Sequence, residues 1–381
     1  MSSYAAITAH RQMHFDKVRN KAYARALRKV VGSETTVMDL GAGLGVHGLN
    51  AARMGAAKVY LVEPESVVEV ARKVAADNQL ENVECLQQRV EDVELDTTVD
   101  VMVSVFTGNF LLTEDLLPSL FRARDKFLAP GGKLLPDRAC MEVVPVSVPD
   151  YYRKHIDIWS GYREFCEESE LPVLDYSQAR PFAANSLYYD SADNFKAQQL
   201  ARAADIKEID FYSATSAACD EKLEVKVTRE GECHGWLGWF RIRLGAEWLG
   251  TGPEDTATHW SQVFMPLETP LSLSVGDILG FHLKRPEFGE WTWATKHGEH
   301  HQRQSTFLSE PISSQRVFKS SDKYQASRSK RGEAVRWLLG EMEGKASTAE
   351  LASRLHARYT SLFTEEADAL RFVKDLVRRY C

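Results

Sequence analysis

The chain has 381 residues, 44% of them hydrophobic and 27% charged, with a formal net charge of −7. That length supports two or three domains, and the acidic balance gives no general electrostatic case for nucleic acid or an anionic membrane as a partner. No apolar run reaches the ~18 residues of a membrane-spanning helix, the N-terminal MSSYAAITAHRQM lacks a secretory apolar core, and the six cysteines (85, 140, 166, 219, 233, 381) show no C-x-x-C pairing, so reduced thiols in a cytoplasmic protein without a zinc site are expected.

Residues 8 to 31 read as one amphipathic helix, with Met13, Val18, Ala22 and Leu27 on an apolar stripe between Arg11, Lys17, Arg19 and Arg28. Val37–Leu40 then reads as a short strand carrying Asp39. Gly41, Gly43 and Gly45 open a turn, an apolar-periodic segment follows, and Val59–Val62 reads as a second strand closed by Glu63. Strand, glycine turn, helix, strand is a βαβ unit whose ligand loop lies at the carboxyl end of its first strand. The spacing is G-x-G-x-G, with Val46 where a dinucleotide loop has its third glycine. The motif alone leaves a methyl-donor site, a nucleotide site and an empty Rossmann-like core open. A helix at Ser66–Asn78, a strand at Val83–Leu86, the acidic Val90–Val93 loop, a β-branched strand at Val99–Val105 and a helix at Leu116–Leu128 follow. Ala129-Pro130-Gly131-Gly132 stops that helix. Five strands alternating with helices indicate a doubly wound sheet.

Beyond Val144 the pattern becomes strand-rich. Residues 151 to 195 are mixed, aromatic and acidic, Lys207–Tyr212 reads as a strand, and residues 223–228 and 233–244 read as a hairpin about Glu230–Glu232. Leu271–Leu283 reads as a further pair of strands, preceded by Thr258-His259-Trp260. Residues 326 to 381 carry three apolar stripes: Val335, Leu338, Leu339 and Met342; Leu351, Leu355 and Tyr359 after capping-box spacing from Ser347 to Glu350; and Leu370, Val373, Val377 and Tyr380. A compact winged-helix-like tail is expected. Its charges are mixed with no basic recognition face, which favours protein or peptide docking, or packing on the preceding domain, over DNA.

The glycine stretch resembles the AdoMet loop of class I methyltransferases, in which the second acid takes the ribose hydroxyls. TAHRQMHFDKVRNKAY (8–23) is similar to the helix that precedes this loop in the protein arginine methyltransferase family, with His10, Met13, Asp16, Val18, Arg19 and Tyr23 in register and Tyr4 matching upstream. LAPGGKLLPDRACMEVVPV, the barrel positions His234 and Phe240, and the Thr258-His259-Trp260 loop match the same family. The resemblance implies S-adenosyl-L-methionine as cofactor and no metal. It gives Arg19 the cofactor carboxylate, which a guanidinium binds bidentately. It places Tyr4, His10 and Met13 over the cofactor, Asp39, Gly41, Gly43 and Gly45 in the loop, Glu63 on the ribose and Glu91 on the adenine. On the residues alone, Glu91 also reads as a solvated loop acid.

In that family the strand equivalent to 99–105 leads into a hairpin whose two glutamates grip the substrate guanidinium. Here the loop is SVFTGNFLLTEDLL, with Glu114 on the second glutamate and Val105 on the first. One carboxylate compensates a buried cation poorly. Three readings stay open: the nucleophile is not a guanidinium, another acid such as Asp115 fills the gap, or the chain does not catalyse. Glu114 also reads as a helix N-terminal acid beside Thr113. His259 is the candidate for proton transfer, against a structural role bonding the helical region or a loop carbonyl.

The expected architecture is α/β: an N-terminal helix and Rossmann-like AdoMet-binding domain at 1–142, a β-barrel domain at 143–320 with a dimerisation arm near 151–195, and a small helical C-terminal domain at 326–381. The expected function is methyl transfer to a nitrogen or oxygen of a protein, peptide or small-molecule acceptor by a homodimer, with no membrane or nucleic-acid partner. The alternative is a non-catalytic methyltransferase-like partner subunit.

Overall fold

The computed structural model describes residues 6–381, so Tyr4 lies outside the described residues. Residues 8–31 are not one helix. The stretch breaks into α1 (Ile7–His14) and α2 (Lys17–Arg28). Asp16 explains the break: its Oδ1 accepts from the Arg19 N–H at 2.9 Å, capping α2. The face of α2 that is buried carries Arg19, Tyr23, Ala26 and Leu27. Val18 and Ala22, expected on the apolar stripe, are only half-buried.

β1 (Thr36–Leu40), α3 (Val46–Arg53), β2 (Lys58–Val62), α4 (Val68–Asp77), β3 (Val83–Leu86), β4 (Val99–Ser104), α5 (Leu117–Phe127) and β5 (Leu128–Leu135) complete the first layer set. The strands are parallel in the order β3-β2-β1-β4-β5. Both faces are covered by helices, which is why β1 is buried from Val37 to Leu40 without polar alternation. Strand order reverses between β1 and β4, and a ligand crevice forms outside the carboxyl ends of strands at such a switch point. Those two ends carry the glycine loop and the 105–115 hairpin. α5 ends at Phe127, and residues 129–132 belong to β5, which starts directly after it.

β6 (Arg138–Ser147) opens the antiparallel region. Three short helices, α6 (Pro149–His155), α7 (Tyr162–Glu168) and α8 (Arg180–Ala184), precede β7 (Tyr188–Asp190), α9 (Ala192–Phe195) and β8 (Gln198–Gln199). Then come β9 (Ala204–Asp210), β10 (Cys219–Lys226), β11 (Gly231–Leu244), β12 (Glu247–Gly250), β13 (Gln262–Leu273), β14 (Ile278–Arg285), β15 (Thr292–His297) and β16 (His300–Ser305). One sheet runs β7-β13-β11-β6-β8, with β12 on β11 and β9 on β6; the other runs β10-β14-β15-β16.

The expected hairpin of 223–228 with 233–244 is therefore a misassignment. β10 pairs with β14, and β11 pairs with β6 and β13. β11 is buried without interruption from Cys233 to Phe240, as a strand paired on both edges must be, whereas β10 alternates as an edge strand does. The sheets meet over a shared core, where Trp236 of β11 stacks on Phe281 of β14 at 4.2 Å and donates to Thr295 Oγ1 at 2.9 Å.

Residues 312–381 form a second compact unit. It contains α10 (Ser314–Lys319), α11 (Lys330–Glu341), α12 (Thr348–Arg358) and α13 (Glu366–Tyr380) around Leu338, Leu351, Leu355, Val373 and Leu376. The Ser347/Glu350 capping box is formed on both sides. No strand lies in this unit among the described residues, so the expected wing is missing. No helix among the described residues is long and apolar enough to cross a membrane.

Candidate active site

Gly41, Gly43 and Gly45 all take left-handed backbone angles, with φ of 63°, 53° and 75°, which side chains rarely adopt. Gly43 is also closely approached, since a Cβ there would lie 3.0 Å from the His10 ring. Two acids hold the loop from below. Glu63 Oε2 accepts from the Gly43 N–H at 2.9 Å and its Oε1 accepts from the Glu65 N–H at 2.9 Å. Asp39 Oδ2 accepts from the Gly48 N–H at 2.7 Å. Burial pushes the Asp39 pKa up to about 7; the Gly48 N–H opposes the rise, Glu63 adds to it, and Arg19 offsets part of it.

Arg19 reaches this place from α2 and is 3% exposed. Its Nη2 donates to Met13 O at 2.6 Å and its Nε to Asn20 Oδ1 at 3.1 Å, and it forms no ion pair among the described residues. Burial lowers its pKa, with Tyr23, Asp16 and Asp39 acting in the other direction. A buried cation without a carboxylate partner is costly by itself and suited to an anionic ligand. His47, absent from the sequence-based assignment, lies near enough to Arg19 to feel its charge. It sits in the first turn of α3, is 3% exposed, stacks on Tyr23 at 4.3 Å, and neither ring nitrogen has a partner among the described residues. Burial, Arg19 and His14 hold its pKa well below the ordinary value. Its signal in the sequence was a histidine on a helix face that otherwise reads as apolar.

Asp16 joins α2 to the Thr258-His259-Trp260 loop. Its Oδ2 accepts from the His259 backbone N–H at 2.9 Å and faces His259 Nδ1 at 2.9 Å. Burial works against the Asp16 charge, but the His259 and Arg19 donors win and bring its pKa down to about 2. The His259 pKa is lowered by burial, with Asp16 acting against the shift. His259 thus makes the bond to the helical region that the sequence left as its alternative role.

The 105–115 hairpin is built onto the antiparallel sheets. Trp260 Nε1 donates to Thr107 O at 2.8 Å, and the Ser261 N–H donates to Asn109 Oδ1 at 2.9 Å. Phe110 stacks on Trp291 at 5.2 Å, and Gly238 leaves room for it: a Cβ there would lie 2.6 Å from the Phe110 ring. Phe110, Leu111 and Asp115 hold φ of 50°, 61° and 53°, strained values for residues with side chains. Asp115 is locked in place. Arg285 of β14 reaches its two oxygens at 2.7 and 2.6 Å, and the Phe288 N–H donates to it at 3.0 Å. The Arg285 guanidinium also lies 5.1 Å from the Trp291 ring centroid.

Glu114 packs on Gly108, where a Cβ would lie 2.9 Å from Glu114 Cγ, and its charge is felt at His259. Neither Thr113 nor Glu114 caps α5, whose N-cap is Leu116 without a side-chain bond. Val105 is half-buried against the main core, and the Phe106 ring lies under Gly41. Glu91 Oε1 accepts from Ser119 Oγ at 2.5 Å. Burial opposes the Glu91 charge, and this bond together with the backbone and two arginines lowers its pKa.

Residues 137–286 match the arginine methyltransferase oligomerization subdomain, and residues 32–176 match a methyltransferase domain. The chain is 30% identical over 285 residues to protein arginine N-methyltransferase 1.1 of Arabidopsis thaliana, covering 73% of this chain and 71% of that protein. It is 30% identical over 315 residues to the probable protein arginine N-methyltransferase 6.1 of Oryza sativa subsp. indica, covering 73% and 80%. Among solved structures, the Trypanosoma brucei PRMT1 enzyme-prozyme heterotetrameric complex with AdoHcy superposes with a TM-score of 0.71 at 24% identity, over 80% of this chain and 99% of that one. Arabidopsis thaliana protein arginine methyltransferase 10 superposes with a TM-score of 0.68 at 22% identity, over the same 80% and 99%.

Proposed function

The chain belongs to the protein arginine methyltransferase family and is an AdoMet-dependent methyltransferase; from that premise we propose that it methylates a nitrogen or oxygen nucleophile on a protein, peptide or small-molecule acceptor. The observation that carries this reading is the buried, carboxylate-free Arg19, whose charge is felt at Asp39 behind the glycine loop. S-adenosylmethionine, when bound, supplies an activated methyl group and an α-carboxylate.

In this reading Arg19 holds the carboxylate, and Glu63 exchanges its loop N–H bonds for the ribose hydroxyls. Gly41, Gly43 and Gly45 let the backbone approach. His10 and Met13 cover the site, Asp39 holds the loop through the Gly48 N–H, and Glu91 meets the adenine. Glu114 faces the acceptor, while the Asp16–His259 pair fixes α2 against the antiparallel region. Such transfer depends mainly on aligning the nucleophile with the methyl carbon, which a hairpin anchored at several points favours. Arginine itself is the second reading: family membership and the retained Glu114 favour it, and Val105 weighs against it. A non-catalytic partner subunit has no use for Arg19, Asp39 and Glu63 together.

We also propose a homodimer through residues 151–195, supported by the oligomerization-subdomain match and by apolar side chains left exposed there, among them Ile158, Phe165 and Leu174. The test of the activity is incubation of the protein with a lysate and isotope-labelled AdoMet, followed by mass spectrometry. Label on a defined acceptor is expected. Label no greater than with heat-inactivated protein would sink the reading.

A further inference from the structure

Resting on the methyltransferase reading above, we propose that His47 is a further cofactor-binding residue: its imidazole donates one ring N–H to the α-carboxylate of AdoMet that Arg19 pairs. The starting observation is a buried ring with nothing in the chain to bond. His47 is 3% exposed, and neither Nδ1 nor Nε2 has a partner among the described residues. Buried polar side chains are nearly always hydrogen-bonded, so an orphaned ring calls for a partner from outside the chain. Asp39, the acid nearest in sequence, does not answer it: its Oδ2 accepts from the Gly48 N–H at 2.7 Å.

The place of the ring selects the partner. His47 is the second residue of α3, which starts directly after Gly45 of the glycine loop. Its ring stacks on Tyr23 at 4.3 Å. Tyr23 stands one helical turn after Arg19 on the buried face of α2, and its hydroxyl donates to Ser104 O at 2.9 Å, at the carboxyl end of β4. The ring is therefore held where the glycine loop, the Arg19 face of α2 and the end of β4 converge, at the switch point between β1 and β4. These surroundings favour an anion. The first turn of α3 is the positive end of its helix dipole, and Arg19 is a buried cation that forms no ion pair among the described residues.

Neutrality suits the ring to this place. Burial, Arg19 and His14 all disfavour its protonation. A neutral ring carries one N–H and one lone pair, and the N–H is the half that an anion can satisfy. One carboxylate compensates one guanidinium, and an imidazolium beside them would add a second buried cation without a counter-charge. A neutral N–H adds a bond to the carboxylate and leaves the charge balance as it was. A carboxylate has acceptor sites left after a two-pronged contact with a guanidinium. An apolar ring at position 47 would stack on Tyr23 as well but leave those sites unmet.

The experiment uses the full chain in calorimetry with AdoHcy and with decarboxylated AdoHcy, which lacks only the carboxylate. His47→Phe keeps a ring against Tyr23 and removes both nitrogens. It should bind AdoHcy about tenfold or more weakly than wild type, the size of one hydrogen bond to a charged group, and decarboxylated AdoHcy within about twofold of wild type. His47→Gln, which keeps a side-chain N–H, should recover part of the loss. A wild-type measurement needs no variant to fold. In protein isotope-labelled at its histidine ring nitrogens, AdoHcy should slow the exchange of one imidazole N–H that shows magnetisation transfer to the Tyr23 ring, and decarboxylated AdoHcy should not. Unchanged AdoHcy affinity in His47→Phe, an equal loss for both ligands, or a His47 N–H that responds alike to both would each overturn the proposal while leaving the methyltransferase reading standing. Failure of wild type to bind AdoHcy would sink both.

Discussion

At the residue scale, each acid of the glycine loop carries a separable consequence. Glu63 spends both oxygens on backbone N–H groups, so Glu63→Ala should weaken AdoHcy binding by about 1–3 kcal/mol, the cost of leaving polar groups unpaired; calorimetry giving equal affinities would refute its role. Asp39 gives a pH signature. Its folded pKa of about 7 lies above the ordinary 3.8, so its contribution to stability is fully present below about pH 4 and is lost as pH rises through about 7. Asp39→Asn keeps an oxygen for the Gly48 N–H and removes the buried charge. Without ligand it should be more stable than wild type at pH 8, by on the order of 1–4 kcal/mol, and gain little at pH 4; melting curves that shift equally at both pH values would contradict this. Val105→Glu restores a second clamp acid and should raise methylation of an arginine peptide by a few hundred-fold, the kinetic form of about 3–5 kcal/mol for a missing charge partner. Wild-type arginine methylation already as fast as the variant's would remove the premise. Asp39 and Glu63 stood out in the sequence because they close the strands beside a glycine motif, and Arg19 only through the family resemblance of its helix. His47 and Arg285 did not. A lone buried histidine has no spacing rule, and Arg285 meets Asp115 across 170 positions, far beyond any local pattern.

At the element scale, hydrophobic periodicity located the helices of the parallel-sheet domain but not the break at Asp16, and strands such as β10 and β11 but not their partners. α1 and α2 part at Asp16 because its carboxylate serves two elements, capping α2 through Oδ1 and bonding the His259 loop through Oδ2. Only the first bond is local enough to be read from sequence. β10 alternates and β11 follows it across a turn, the pattern of a hairpin, yet long-range pairing with β14 and with β6 and β13 decides their sheets. The double duty of Asp16 makes a distinct prediction. Asp16→Ala loses a helix cap, ~1 kcal/mol, and a buried bond to His259 of similar size. Because Arg19 lies in the first turn of the same helix, cofactor affinity should fall with stability. Asp16→Asn retains the cap and should recover stability more than affinity. Chemical denaturation with calorimetry on both variants separates the two effects, and a stable Asp16→Ala protein with unchanged AdoHcy binding would show the junction to be idle.

At the scale of the whole molecule, the order of the two architectures along the chain was readable from the switch between βα alternation and strand-rich sequence, while the all-helical 312–381 unit lacks the wing its stripes suggested. What a single copy leaves unsettled is its apolar surface. Between residues 158 and 176, Ile158, Trp159, Phe165, Leu171 and Leu174 are 52%, 38%, 49%, 46% and 52% exposed, a concentration that marks an interaction surface rather than scattered surface residues. On the parallel-sheet domain, Val70 and Val74 stand one turn apart on α4 at 36% and 38% exposure. A two-fold dimer in which each arm covers its partner's α4 would bury both patches in one closed arrangement, since a self-complementary pair of surfaces is used twice. A stable interface of this kind needs roughly 800 Å² per partner, which an arm of this length supplies only if its apolar side chains enter the contact. The protein should therefore sediment as a dimer at ~20 μM, well above the dissociation constant of an ordinary stable interface, and Trp159→Glu with Leu174→Glu should give a monomer. Because both side chains are already exposed, the double variant should lose no more than about 1 kcal/mol of intrinsic stability. A wild-type protein that sediments as a monomer with AdoMet present, or a double variant that remains dimeric, would remove the arm from the assembly.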